Sequence, residues 1–248
     1  EIGVRLVGSE MCIRDRFMSF FPQIVEGPIC RYGQTANQLW NVKQIEFENL
    51  KLGTVRILFG LMKILVIADR LNPMIKQIFS HYDDYQGGII ALGAIAYTIQ
   101  LYCDFSGTMD AVMGVAQIFG VTMPENFQRP FFSKSISEFW KRWHITLGTW
   151  FKDYIFYPVT MSKPMKNLTS SARKKLGNHF GPLLAGSIAL FCVWFCNGLW
   201  HGSAWGYIFF GMYHFVLILS GNIIAPAVTA FNKKLHINSE CFAYKVCL

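Results

Sequence analysis

The sequence predicts an all-α, polytopic helical membrane protein, and three observations carry that prediction. Of its 248 residues, 52% are hydrophobic and only 15% are charged, whereas about 25% of a soluble domain is charged. Mean hydropathy is +0.30. Several windows approach the ~20 apolar residues that one bilayer crossing requires. The other spanning design, a closed barrel, needs ~10-residue segments of alternating hydropathy, and the sequence lacks them.

Taken in order, residues 1–16 (EIGVRLVGSEMCIRDR) carry six charges without an amphipathic period and are expected to be a non-native or disordered leader. The membrane core is expected over 17–224, followed by a C-terminal cytoplasmic or partial next-helix segment over 225–248. PQIVEGPICRYGQ (22–34) has two prolines and two glycines, which predicts a broken or re-entrant segment. NQLWNVKQIEFENL (37–50) is polar and interfacial. LGTVRILFGLMKILVIADRL (52–71) is long enough to span, provided that Arg56 and Lys63 face protein, water or the interface; Asn72-Pro73 is expected to end it. A second span, 87–105, is followed after a Ser-Gly break by 106–121, which carries Asp110. SISEFWKRWHITLGTWFKDYIFYP (135–158) reads as one amphipathic helix, because Trp140, Trp143, His144, Leu147, Trp150, Phe151 and Tyr154 recur at spacings of three and four. Glu138 stands four residues before Arg142, in register for an ion pair. So much Trp and Tyr beside Lys and Arg suits a re-entrant or interfacial position. Two last spans are expected over 182–200 and 204–224, stopping before Ala225-Pro226.

The formal net charge of +8 sits in loops between apolar runs, which is a topology signal rather than a nucleic-acid surface. The acid-free segment 162–181, with Lys163, Lys166, Arg173, Lys174 and Lys175, is placed in the cytoplasm, and a multi-pass plasma-membrane location follows. A phosphate- or lipid-headgroup-binding role for the segment is the less favoured reading. Seven cysteines without CxxC spacing give neither a disulfide framework nor a zinc site. No histidine spacing suits a metal.

The candidate chemistry lies in NGLWHGSAWG (197–206), where His201 interrupts two uncharged apolar runs. An ionisable group at membrane depth is costly and therefore points to function. A hairpin-tip histidine bonded to a carbonyl is the equally weighted alternative. Glycines at 198, 202 and 206 permit close approach, and Trp200 and Trp205 can wall a cavity. For His144 alone a packed, satisfied ring is the simpler reading, and His81, His179, His214 and His236 receive the same one. Asp104 is assigned a helix-cap or helix–helix role. Ser106 lacks a nucleophile-elbow context.

Three blocks carry a resemblance: FFPQIVEGPICRY (20–32), the stretch 102–158 that includes PENFQRPFF and SISEFWKRWHITLGTWFKDYIFYP, and NGLWHGSAWGYIFFGMYHF (197–215). In that order they resemble the membrane-bound O-acyltransferase superfamily, in the branch of alginate O-acetyltransferase and the D-alanyl-teichoic acid transfer protein. The resemblance implies many helices around a central funnel, and a longer N-terminal region with further spans than this chain has. It implies that His201 matches the family's nearly invariant membrane-embedded histidine and His144 its second one. It also implies an acyl donor at the cytoplasmic face, acetyl-CoA or an acylated phosphopantetheine carrier protein. The implied acceptor is a hydroxyl of an envelope polysaccharide or teichoic acid, or an esterase-like partner that relays the group.

On that reading His201 is the general base, because a neutral imidazole with an ordinary pKa near ~6.5 can take a hydroxyl proton at neutral pH. His144 orients a substrate or stabilises charge, and Asn197, Trp200 and Trp205 line the substrate site. Two other classes compete: a non-catalytic membrane scaffold, and a proton-coupled transporter with Asp110, His144 and His201 as relay groups.

Overall fold

Glycines seven residues apart on two apolar stretches, Gly53/Gly60 and Gly107/Gly114, set the best-packed seam of the molecule. The structure, a computed structural model, describes residues 2–41 and 44–235. The chain divides into two compact units, Glu1–Asn126 and Phe127–Leu248, described separately below. Among the described residues three helices are long and apolar enough to cross a membrane: Gly87–Ile118, Lys163–His201 and Trp205–Lys234.

The first unit runs α1 (Ile2–Ser19), α2 (Phe21–Val25), α3 (Tyr32–Trp40), α4 (Phe47–Met62), a π-helical segment (Lys63–Ala68), α5 (Asp69–Ser80) and α6 (Gly87–Ile118). Residues 2–16, set apart in the sequence, lie within α1. The Arg16 guanidinium covers the Trp40 ring at 5.1 Å and donates to the Leu39 carbonyl at 3.4 Å. Residues 27–31, outside any helix, separate α2 from α3, the interruption that the prolines and glycines predict. Leu39, Met113, Ala116, Val121 and Met123 form a small core with Phe17 and Phe20 against it.

In the α4–α6 seam a Cβ on Gly53 would stand 2.5 Å from the Gly114 carbonyl oxygen, and one on Gly114 would stand 2.6 Å from that of Gly53. Gly60 and Gly107 face each other in the same way. Backbones this close leave no room for a side chain, which is how helices gain packing area in lipid. The same seam holds a cluster of charges. Asp110 accepts from Arg56 Nε at 3.1 Å and from Lys63 Nζ at 2.6 Å. Lys63 also reaches the Ser106 hydroxyl at 3.3 Å, and Arg56 pairs with Glu125 at 2.7 Å. Two cations and two carboxylates thus neutralise one another where unpaired charge would be costly.

Two expected boundaries are corrected here. The helix does not end at Asn72-Pro73: it continues to Ser80 with Pro73 inside it. A lone proline removes one hydrogen bond, and packing can carry a helix past it; Ile75 and Ile78 beyond it are buried, and Gly93 of α6 sits against Ile78. Nor does Ser106-Gly107 break the next span, since both residues are buried inside the continuous α6. That glycine serves helix approach, not chain reversal. Asp104 is exposed in mid-helix rather than at a cap.

The second unit runs α7 (Ile136–Arg142), α8 (Ile145–Phe151), a π-helical segment (Lys152–Phe156), α9 (Tyr157–Met161), α10 (Lys163–His201) and α11 (Trp205–Lys234). The single amphipathic helix expected over 135–158 is therefore broken. Trp143 adopts extended backbone and bridges to Phe127, with the Gln128 amide donating to the Arg142 carbonyl at 3.0 Å. His144 then takes a left-handed conformation, φ 47°. A period of three and four cannot reveal such a break, because it depends on pairing with a segment outside the helix.

Residues 162–181, expected as a loop, are also helical. Ser162 precedes α10, Pro164 occupies its first turn, where no N–H is required, and Gly177 at φ 79° breaks the helix into arms 163–176 and 178–201. Gly181 then packs directly on the Arg173 backbone. The second arm and α11 form the expected hairpin. Gly198 faces the Tyr207 carbonyl, Gly211 sits on the Trp194 carbonyl, and the His179 ring meets the Asn222 carbonyl at 3.1 Å. The last helix does not stop before Ala225-Pro226 but runs to Lys234. His236, Cys241 and Cys247 lie outside the described residues.

Candidate active site

The turn of the hairpin brings the singled-out residues together. α10 ends at His201, Gly202 follows at φ 152°, and α11 begins at Trp205. A Cβ on Gly202 would stand 2.7 Å from the Tyr207 ring, so this turn requires glycine on both conformational and steric grounds. The His201 ring is consequently held among aromatics: Trp200 at 4.8 Å, Phe210 at 5.7 Å and, nearly parallel, Tyr207 at 6.2 Å between centroids.

His144 reaches the same cluster from α8. Its left-handed backbone turns the chain at the N-terminus of that helix, and its ring lies 5.9 Å from that of Trp200. Trp200 thus contacts both histidines. His144 lies outside the candidate spans, and burial, followed by the charge of His201, pushes its pKa down to about 4. At neutral pH it is an uncharged ring able to accept one hydrogen bond and donate another.

Nearby, Glu138 caps α7 through the Ser135–Glu138 motif. Ser135 Oγ accepts from the Glu138 amide at 3.1 Å, while the Glu138 carboxylate accepts from the Lys134 amide at 2.8 Å and from Arg142 at 2.5 Å, the expected ion pair. The Lys134 amide, then Arg142, hold this carboxyl below its ordinary range.

Asn197 is buried one turn before His201. Trp205, expected as a lining residue, lies apart: it is 86% exposed and outside the ring cluster. A residue that the sequence did not single out belongs to the site instead. His214 stands 4.7 Å from Phe210, 4.8 Å from Trp140 and 5.3 Å from Trp194. Its Nδ1 and the Trp140 Nε1 are buried polar atoms without partners among the described residues. Phe210 lies between His201 and His214, so three histidines share one aromatic cluster, its His201 end exposed. Their spacing in sequence offers no sign of this, because Trp140 comes from a different helix. Among the described residues no group of three His, Cys, Asp or Glu can hold a metal.

Fold and site together define a polytopic helical membrane protein with a histidine-centred aromatic cluster at a hairpin turn. The family model described as MBOAT, membrane-bound O-acyltransferase family, matches residues 16–173; the chain belongs to this family. The match includes His144 and ends before His201. The chain is 34% identical over 198 residues to a probable alginate O-acetylase of Azotobacter vinelandii, covering 80% of this chain and 36% of the relative. It is 32% identical over 228 residues to the teichoic acid D-alanyltransferase of Bacillus subtilis, covering 88% and 52%. A Helicobacter pylori peptidoglycan O-acetyltransferase is 30% identical over 218 residues, covering 87% and 38%. The chain thus spans from about a third to about half of these relatives' length.

Proposed function

We propose that this chain forms part of a membrane-embedded O-acyltransferase. It moves an acetyl or D-alanyl group from a cytoplasmic thioester to a hydroxyl of an envelope polysaccharide or teichoic acid, or to a relay protein. The thioester is acetyl-CoA or an acylated phosphopantetheine carrier. The observation that carries this reading is the placement of His201 beside His144, with Trp200 in contact with both, at the end of a membrane-length helix.

The acceptor oxygen attacks the thioester carbonyl carbon while His201 takes the hydroxyl proton. The C–S bond then breaks, the ester remains on the acceptor, and the proton passes from the imidazolium to the departing thiolate. His144, uncharged at neutral pH, orients the acceptor or the donor carbonyl by hydrogen bonding. Asn197 supplies an amide one turn away. Asp110 is engaged by Arg56 and Lys63, which weakens the relay alternative.

The test is acyl transfer by the intact protein in sealed vesicles, with radiolabelled acetyl-CoA or acylated carrier supplied on one face and acceptor on the other. Label should appear in an alkali-labile ester on the acceptor. A pH gradient that moves solute without any acyl donor, with no ester formed, would contradict the proposal.

A further inference from the structure

The acid-free first arm of α10 does more than carry positive charge. Lys166, Thr169, Ser170, Arg173 and Lys174 follow the i, i+3, i+4, i+7, i+8 pattern of one helical face. Together with Thr160 of α9 they line an open cavity of about 490 Å³. Lys163 and Lys175, on the same arm, do not line it. None of the three lining cations makes an ion pair among the described residues, unlike Arg56, Lys63 and Arg142 elsewhere in the chain. The Ser170 hydroxyl has no hydrogen-bond partner among them either, whereas those of Thr160 and Thr169 donate to the Phe156 and Met165 carbonyls. Three uncompensated cations and one free hydroxyl in a concave site match a single compact polyoxyanion.

The surroundings indicate where that anion comes from. Gly181 packs on the Arg173 backbone, which fixes the cavity beside the start of the apolar run Pro182-Leu183-Leu184. From there an apolar row at four-residue spacing, Phe180, Leu184 and Ile188, runs up the second arm, between 38% and 42% exposed. A soluble phosphate has no use for such a row, whereas acyl chains do. We infer that the Thr160–Lys174 cavity binds the phosphate diester of an anionic bilayer lipid whose chains lie along Phe180, Leu184 and Ile188. Basic pockets at the membrane end of a helix suit such headgroups.

The full chain is placed in phosphatidylcholine vesicles doped with fluorescent phosphatidylglycerol, and lipid binding is read by energy transfer from the protein's tryptophans. Two charge-matched double variants separate a built site from diffuse attraction: K166Q/R173Q removes lining cations and K163Q/K175Q removes non-lining ones. At about fivefold per cation near a surface, K166Q/R173Q should weaken binding by roughly 25-fold, while K163Q/K175Q stays within about twofold. K166R/R173K, which keeps the charge, should bind like the parent and guards against mere misfolding. Equal losses in the two neutralised doubles would reduce the segment to a topology signal and overturn the site. Inorganic phosphate, offered alone with plain phosphatidylcholine vesicles, identifies the source: tighter binding of free phosphate than of phosphatidylglycerol would overturn the lipid assignment.

Discussion

The left-handed conformation of His144 and its depressed pKa have one physical origin, the sharp break after Trp143 that buries the ring near Trp200. Its pKa of about 4 lies below the ordinary value of 6.5, so between these values the unfolded chain binds more protons than the folded one. Stability is therefore complete above about pH 6.5 and is lost as the pH falls towards 4. Thermal unfolding in detergent should show a lower midpoint at pH 5 than at pH 7.5, and His144→Gln should flatten the difference. An unchanged slope in that variant would remove His144 as its cause. His214 makes a second residue-scale case. Its Nδ1, like the Trp140 Nε1, has no hydrogen-bond partner among the described residues, so His214→Phe breaks no bond at that nitrogen and folding should survive. If those polar atoms serve the acyl-transfer pocket, transfer should nevertheless fall about tenfold or more, within the range of a lost hydrogen bond to a substrate. His201 was legible in the sequence because it interrupts two apolar runs. His214 was not, because its partner Trp140 lies 74 residues away in the chain.

Between helices, the seam of α4 and α6 shows what the sequence could and could not convey. Expected spans at 52–71 and 87–105 lie where long helices form, and Arg56 and Lys63 face protein as their charge demands. The boundaries did not follow, because Ser106-Gly107 and Pro73 look locally like breaks and are overridden by packing. Two substitutions test the seam. In Gly114→Val the new Cβ would stand 2.6 Å from the Gly53 carbonyl oxygen and 2.9 Å from the Ile57 amide. Backbone cannot yield as a side-chain tip does, so a loss of about 1–3 kcal/mol is expected. Asp110→Asn leaves Lys63, only 13% exposed, and Arg56 without their shared carboxylate. Because the cluster is partly solvated, the cost should fall somewhat below the ~3–5 kcal/mol of a fully buried broken pair. Denaturant titration of each variant checks both, and K63M/D110N should recover part of the loss. A seam without structural weight would leave all three midpoints unchanged.

Across the chain as a whole, composition alone was enough for the fold class, because few charges and membrane-length apolar helices leave little alternative. Connectivity within the second unit was less legible. The polarity of 162–181 suggests a loop, yet residues 163–176 form a helical arm whose apolar positions, Met165, Leu168, Ala172 and Leu176, recur on one face among lysines. If the charge distribution sets topology, the first arm of α10 and the Lys233–Lys234 end of α11 share a membrane face, while Ser203, in the hairpin turn, approaches the other. Single cysteines at Lys166, Lys233 and Ser203 in a cysteine-free background should show this. Impermeant maleimide added to inverted vesicles should label the first two and spare the third. Labelling of Lys166 and Lys233 from opposite sides would dismantle the hairpin.

The measurement closest to the central claim is the rate of ester formation by the full-length parent protein carrying His201→Ala or His201→Gln, with donor binding measured in parallel. If the imidazole at this turn moves the proton, both variants should lose about 10²–10⁴-fold in turnover while binding the donor normally. Gln should be no better than Ala, since it restores polarity without a titrating nitrogen. Near-parental turnover in a well-folded His201→Gln protein would contradict the account and leave the histidine a structural part of its hairpin.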